Sequence, residues 1–343
     1  MMRILVTATH VPFIHGGGEY HMQNLHDQLQ QRGHQVELLR VPFKFQPEKD
    51  VQRAMDFCDG YDFNIPNGQK IDRVISLQFP GYGIAHQKQV VWIMHQHRMA
   101  YELYDQQPQT AAHAQIRDAV QAYDTRVLAQ AYKRYANSGR VAARLQEYNG
   151  LSATPLYHPP PHNERFSTNA PLDYIFAPSR LESLKRQDLL IEAARYLTTP
   201  VSMIIAGEGG QKQRYQQLID NYALHDRVRL VGRTTEAEKF AYYANCLAVF
   251  FAPFDEDYGY ITLEAWLSSK PVITATDSGG PTELVTHEQD GWILEPDAQA
   301  IAATIDAAWH NKQRSIDMGR AGKQSYHDKG ICWDNVIDTL LSD

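Results

Sequence analysis

Two glutamates eight positions apart, Glu256 and Glu264, stand in the segment Phe254-Asp-Glu-Asp-Tyr-Gly-Tyr-Ile-Thr-Leu-Glu-Ala265, with Tyr258 and Gly259 between them. The preceding apolar run Ala248–Phe251 reads as a buried strand, and Gly259 as the turn into a helix. Backbone N–H groups at a helix start bind phosphate. Glu264 then falls on the helix's second turn, on a face that can reach a ribose, and Glu256 in the loop before it. A second constellation, Ser179-Arg180-Leu-Glu-Ser-Leu-Lys185-Arg186-Gln187-Asp188, follows the apolar run Tyr174–Ala177. Arg180 supplies a bidentate fork and Lys185 a compact point charge, which suits a diphosphate. Taken singly, carboxylates and basic residues like these are ordinary surface charge. Their occurrence behind two strands of one sheet is what gives them weight.

Three glycine-rich spots accompany them: Gly16-Gly17-Gly18, Ala206-Gly207-Glu208-Gly209-Gly210 and Asp277-Ser278-Gly279-Gly280-Pro281. Each lets a backbone approach a ligand closely, and each taken alone is a plain tight turn.

The elements needed to hold these residues are legible as an alternation. Arg3–Ala8 reads as a strand, His15–Gly18 as a glycine loop, Glu19–Arg32 as a helix and Gln35–Val41 as a second strand. This β-loop-α-β unit implies a parallel sheet with a right-handed crossover. Further strands are expected at Arg73–Leu77 and Val90–Met94, a long helix over 110–134 and a shorter one from Ser138 to Tyr148. At His158-Pro-Pro-Pro-His162 three prolines forbid helix and mark a domain boundary. The alternation then restarts, with strands at Tyr174–Ala177, Val201–Ala206, Val228–Val231, Ala248–Phe251 and Val272–Thr274. Helices are expected near 186–197, 211–223, 235–245 and 260–269, and the last forty or so residues read as helical. The expected fold class is α/β, with two Rossmann-like doubly wound parallel-sheet domains, 1–160 and 161–325, facing each other across a cleft. A C-terminal helix over about 326–343 is expected to pack back on the first domain.

Composition bounds the function. The chain has 343 residues, 43% apolar and 21% charged, ordinary values for a globular protein. Its formal net charge is −7, which argues against a nucleic-acid binder. Residues 1–160 carry a net charge of +2 and residues 161–343 a net charge of −9. No apolar run approaches the ~18 residues of a membrane span. Met1–Phe13 lacks the apolar core of a signal peptide. Cys58, Cys246 and Cys332 form no disulfide or zinc pattern, so a reducing cytoplasm is the expected compartment.

The second half resembles the retaining, nucleotide-sugar-dependent glycosyltransferases of family 4 (group 1 glycosyltransferases), which have the GT-B fold. The resemblance runs through SRLESLKRQDLLIEA, IAGEG, VRLVGRTTEAEKFAYYANC, FDEDYGYITLEAWLSSKPVI, DSGGPTELV and GWILEP, in that order. The first half is similar more loosely, through ILVTATHVPFIHGGGE, the strand ending at His95, and YANSGRVAARL. The resemblance implies that Glu256 lies near the transferred sugar and that Glu264 binds the nucleotide ribose. It implies that Arg180 and Lys185 hold the diphosphate. The backbone of Tyr260 and Ile261, after Tyr258 and Gly259, would bind donor phosphate or sugar. Arg233 and Thr234 would line the base, Gly207 would allow close approach, and Gly16 and Gly17 would close on the phosphates. His95 corresponds to a first-domain histidine near the donor sugar, with His97 competing for that role.

The reaction this implies is retaining transfer from a UDP- or GDP-sugar to a glycan, lipid-linked or small-molecule acceptor, in bacterial glycoconjugate or polysaccharide synthesis. No cofactor is expected. Asp255-x-Asp257 resembles the metal-binding pair of another glycosyltransferase fold, but it lies inside the two-glutamate segment beside basic residues that can hold a diphosphate. Metal-independent catalysis is therefore expected. The histidines, 15 in all, match no strong zinc spacing and read mostly as surface or cleft groups. A nucleotide-sugar epimerase, a glycan phosphorylase and a non-catalytic nucleotide-sugar-binding partner are the alternatives. Tyr132-Lys133-Arg134-Tyr135 with Arg140 and Arg144 is the best candidate for peripheral membrane contact, and a solvated helix face is the plainer reading.

Overall fold

The computed structural model describes residues 1–13, 16–106 and 110–343. The chain divides into two compact units, Met1–His158 with Cys332–Asp343, and Pro159–Ile331. The boundary falls at the first of the three prolines.

In the first unit the chain runs β1 (Arg3–His10), α1 (Gly17–Gln31), β2 (Gln35–Pro42), α2 (Glu48–Asp59), β3 (Arg73–Ser76), β4 (Gln89–Ile93), α3 (Ala111–Gln130), β5 (Lys133–Ala136), α4 (Gly139–Asn149) and β6 (Thr154–Pro155). The strands form one six-stranded sheet in the order β2-β1-β3-β4-β5-β6, with every pairing parallel. Helices cover both faces, so Val74, Ile75, Val90, Val91, Trp92 and Ile93 are all buried in continuous apolar runs. Ser138 caps α4 through the Val141 N–H at 3.1 Å, and Gly150, left-handed at φ 66°, closes it.

The second unit runs β7 (Tyr174–Pro178), α5 (Gln187–Ala193), β8 (Ser202–Ala206), α6 (Lys212–Asn221), β9 (Val228–Gly232), α7 (Glu236–Asn245), β10 (Ala248–Phe250), α8 (Tyr260–Leu267), β11 (Val272–Ala275), α9 (Gly280–Leu284), β12 (Gly291–Leu294), α10 (Ala298–His310) and α11 (Lys312–Asp328). Its parallel sheet has the order β12-β11-β10-β7-β8-β9. Strand order reverses between β7 and β10, the point at which open α/β sheets bind ligands. The last helix, α12 (Trp333–Leu341), belongs to the first unit. Val336, Ile337 and Leu340 pack in one core with Met22, Leu25 and Leu29 of α1. The buried Arg73 guanidinium donates to the carbonyls of Leu341 and Ser342, each at 3.1 Å.

Several expectations are corrected. The long helix ends at Gln130, because residues 133–136 pair with β4 as a strand. That strand tolerates its charges because Arg134 donates to the carbonyls of Leu128 and Ser152, and Lys133 to that of Ser342. The basic segment at 132–135 is therefore no helix face. Arg144 is buried and paired with Glu102 at 3.2 Å, which removes it from any surface patch. Gly17 and Gly18 form the first turn of α1 rather than a loop, and Gly16 is its N-cap. A side chain at residue 18 would stand 3.0 Å from the Gln78 amide. His15 lies outside the described residues. α2, β5, β6, α9 and β12 were not expected from the sequence. His21, His97 and His158 are core residues, not surface ones. Among the described residues, no helix is long and apolar enough to cross a membrane.

Candidate active site

The two sequence constellations follow the two strands that flank the strand-order reversal. Ser179–Gln187 leaves β7, and Phe251–Gly259 leaves β10. Topology alone therefore brings them together, although some seventy residues separate them. The Lys185 ammonium and the Glu256 carboxylate meet as an ion pair, with side chains only 16% and 20% exposed. Lys185 also lies over the Phe251 ring, 5.7 Å from its centre. An ion pair this sheltered is less screened than a surface one.

Glu256 is held by backbone on both sides. Its N–H donates to the Ser278 carbonyl at 3.0 Å, and its carbonyl accepts from Gly280 N–H at 2.8 Å. This close seam explains Gly279 and Gly280. A side chain on Gly279 would lie 2.6 Å from the Glu256 carbonyl oxygen, and one on Gly280 would lie 2.7 Å from that of Tyr258. Gly259 caps α8 with φ 82° and packs against Phe251 and Pro281. It opens α8 at Tyr260 and Ile261.

Glu264 does lie on the second turn of α8, but it is only 7% exposed. One carboxylate oxygen accepts from the Tyr243 hydroxyl at 2.5 Å, and the other meets the Lys239 ammonium at 3.0 Å. Both partners belong to α7. Burial and the Glu264 charge push the Tyr243 phenol well above its ordinary range. Sequence reading missed this pair, although the four-residue spacing of Lys239 and Tyr243 sets them on one helix face. Arg233 and Thr234 lie at the end of β9, ahead of α7, whose Thr235 and Glu238 form a reciprocal cap.

Arg180 is exposed, and among the described residues it forms no ion pair. Its backbone is fixed instead. The Arg180 carbonyl accepts from the buried Gln187 amide at 3.0 Å. Gly207 lies against the same segment, where a side chain would fall 1.8 Å from the Ser179 carbonyl oxygen. The Gly207 backbone, at φ 140°, is thus required by the chain's own packing. Gly209 does likewise against Leu181, a role not read from the sequence.

Asp255 is 9% exposed with φ 48°, and its N–H donates to the Asp277 carbonyl. Among the described residues no group of three or more His, Cys, Asp or Glu side chains is placed to hold a metal ion. In the first unit, Gly16 and Gly17 open α1 behind β1. His95 follows β4, half-buried, with Nδ1 at 2.9 Å from the Gln96 carbonyl. His97 is 8% exposed and stacks on Phe79 at 5.3 Å. Burial, aided by the His95 charge, pulls its pKa down to about 4.

Comparison with known proteins bears on the second unit and on the fold. Residues 162–325 match the family described as "Glycosyl transferases group 1". The Alpha-1,3/1,6-mannosyltransferase ALG2 of Mus musculus is 28% identical over 131 residues, covering 35% of this chain and 31% of that protein. The lipopolysaccharide core biosynthesis glycosyltransferase LpsD of Rhizobium meliloti is 28% identical over 150 residues, covering 43% of each. The chain thus spans about a third of the length of the first curated relatives it matches. The structure of Anabaena HepE in complex with UDP and glucose shares the fold, with a TM-score of 0.73 at 19% identity over 99% of both chains. The group 1 match thus covers the second unit almost throughout, and the two-sheet GT-B fold is shared with solved glycosyltransferase structures over the whole length.

Proposed function

We propose that the protein moves a sugar, with retention of configuration, from a UDP- or GDP-sugar to a hydroxyl of a glycan, lipid-linked or small-molecule acceptor in bacterial glycoconjugate or polysaccharide assembly. The observation that carries the reading is the meeting of Lys185 and Glu256 beside the strand-order reversal. It joins a cation suited to a departing diphosphate and a carboxylate suited to a sugar bearing positive charge. HepE was solved with UDP and glucose, which supports a nucleotide-sugar donor.

In this reading the donor diphosphate lies against Arg180, Lys185 and the N-terminal turn of α8, with Glu264 at the ribose and Arg233–Thr234 at the base. Gly207, Tyr258 and Gly259 shape the backbone around it. Departure of the nucleotide breaks the bond from the anomeric carbon to phosphate oxygen. Charge then grows on the diphosphate, where fixed cations and helix N–H groups stabilise it. Glu256 faces the opposite charge on the sugar ring. The acceptor oxygen bonds to the anomeric carbon on the face just vacated, and its proton passes to the leaving phosphate oxygen. Lys185 and Arg180 supply the neutralisation that a metal ion would otherwise give, so metal-independent catalysis is part of the proposal. The first unit is assigned to the acceptor, with Gly16 and Gly17 assigned to the donor phosphates and His95 to the donor sugar. The activity belongs on the cytoplasmic side of a membrane, with peripheral contact where the acceptor is lipid-linked.

Purified protein is to be screened against UDP- and GDP-sugars, with the anomeric configuration of product read by NMR. A retained configuration is expected, with turnover falling about 100-fold or more in Glu256→Ala and Lys185→Ala and persisting in chelator. Full turnover in both variants, or an inverted product, refutes the reading.

A further inference from the structure

Arg186 adopts a backbone conformation that disfavours any residue but glycine. Its φ of 50° and ψ of 40° lie in the left-handed region, between Lys185 and the first residue of α5. Glycine takes this conformation at no steric cost, so the arginine's contribution lies in its side chain. That side chain is 17% exposed and makes four hydrogen bonds across two loops. Nε donates to the Ala252 carbonyl at 2.8 Å, and Nη2 to the Pro253 carbonyl at 2.9 Å. Nη1 and Nη2 grip the two Asp277 carboxylate oxygens at 2.8 and 2.6 Å. The planar fork of arginine suits this bidentate contact, and an ammonium cannot reproduce it.

The gripped segments are the ones that hold Glu256. Ala252 and Pro253 begin its loop, and Asp277 begins the segment lying alongside. Phe254 N–H donates to the Leu184 carbonyl at 2.7 Å, Asp255 N–H to the Asp277 carbonyl at 2.9 Å, and Glu256 N–H to the Ser278 carbonyl at 3.0 Å. Arg186 thus stands where the loops behind β7, β10 and β11 converge.

We propose that Arg186 is a positioning residue, whose guanidinium clamps the Glu256 loop to the Asp277 loop and so fixes where Glu256 stands toward the transferred sugar. The proposal rests on the sugar-transfer reading of the same site. The nucleotide is assigned to Arg180, Lys185 and Glu264, so the clamp acts on turnover more than on nucleotide binding. A misplacement of a catalytic group by about 1 Å costs up to about 100-fold in rate.

Arg186→Gly removes the clamp and relieves the backbone at once, which separates position from stability. The variant is expected to lower kcat about tenfold or more. UDP affinity stays within about threefold and Tm within a few degrees, because glycine offsets the lost contacts. Amide exchange at Asp255 and Glu256 rises about tenfold. Asp277→Asn is expected to reproduce the kcat loss, with the double variant no worse than either single one. Arg186→Lys should fall between wild type and Arg186→Gly. An unchanged kcat in Arg186→Gly overturns the proposal, as does a joint collapse of kcat, UDP affinity and Tm. If the wild-type protein turns over no nucleotide sugar, the transfer reading fails by itself. Exchange at Asp255 and Glu256 then decides the clamp, and no change in Arg186→Gly overturns it.

Discussion

The His21–His158 pair and the Asp124 cluster buried in the first unit are neutral or nearly so and lie among aromatic rings, whereas the polar groups at the candidate site of the second unit are paired charges. His21 stacks on His158 at 4.0 Å and meets Trp92 edge-on at 4.1 Å. Burial drives the His21 pKa down to about 3 and that of His158 well below its usual value. Asp124 is fully buried and accepts from the hydroxyls of Tyr82 and Tyr101 at 2.6 and 2.7 Å. Its pKa is raised to about 7 by burial, with those two hydrogen bonds opposing the rise. The second unit instead joins Lys185 to Glu256, Arg186 to Asp277 and Lys239 to Glu264. Where the groups are neutral, pH acts on the fold. Where they are ion pairs at the mouth of a strand reversal, charge acts on what binds there.

Asp124 offers the largest test of that contrast. Its folded-state pKa lies above its unfolded value, so the unfolded chain ionises first as pH rises. Its contribution to stability is whole below about pH 4 and is lost on rising through pH 7. A tenfold change in a protonation equilibrium is worth about 1.4 kcal/mol, so the loss between pH 5 and pH 8 is about 2–3 kcal/mol. Asp124→Asn keeps the shape and removes the titration. Urea unfolding of the full chain across pH 5–8 is expected to show that slope in the difference between wild type and variant, since His21 and His158 titrate with the opposite sign in both. Equal slopes would place no cost on the buried carboxylate and break the contrast.

His21 works with the opposite sign and a smaller effect. Its folded-state pKa is below its unfolded value, so stability is whole above about pH 6.5 and lost as the medium is acidified toward about pH 3. Between pH 7 and pH 5 this amounts to about 2 kcal/mol. His21→Leu is expected to lose the His21 share of the acid sensitivity, His158 keeping its own, while Asp124→Asn retains both. If the two variants respond alike, the two clusters titrate as one and the sign argument is wrong.

The same contrast governs what the sequence made legible. In the second half, chemistry is local: Glu256, Gly259 and Glu264 lie within one loop and two helical turns, so spacing alone located them. Arg186 lies beside Lys185 in the basic constellation yet carried no role there, because its grip depends on Ala252, Pro253 and Asp277, far along the chain. Its left-handed backbone leaves no mark in a non-glycine residue. Lys239 and Tyr243 were missed for a different reason, since helical spacing shows that two residues share a face but not what faces them. In the first half, α2 had a readable pattern in Val51, Ala54, Met55 and Cys58, all buried. Strand β5 had none, because Lys133 and Arg134 disguise a strand whose charges find partners in the chain's end and in neighbouring carbonyls. The buried histidines were likewise unreadable, as neutral imidazoles packed on tryptophan look like surface histidines in a sequence.

The smallest expected effect sharpens the contrast from the other side. Lys185 is paired with Glu256, so a nucleoside diphosphate competes with that carboxylate for the ammonium. Glu256→Gln removes the competitor and keeps the side chain's size. UDP is then expected to bind more tightly by about 1 kcal/mol, about fivefold, a modest figure because the pair is partly open to solvent. Turnover should fall in the same variant, since its carboxylate is the one assigned to the sugar. Tm should hardly move, because the fold of the second unit is carried by its apolar sheet core rather than by this pair. Tighter binding with slower turnover and unchanged Tm, read by calorimetry and donor consumption, marks a charge set for ligand exchange. Unchanged or weaker UDP binding instead makes Lys185–Glu256 a structural pair, and the two units would then differ only in the polarity of what they bury.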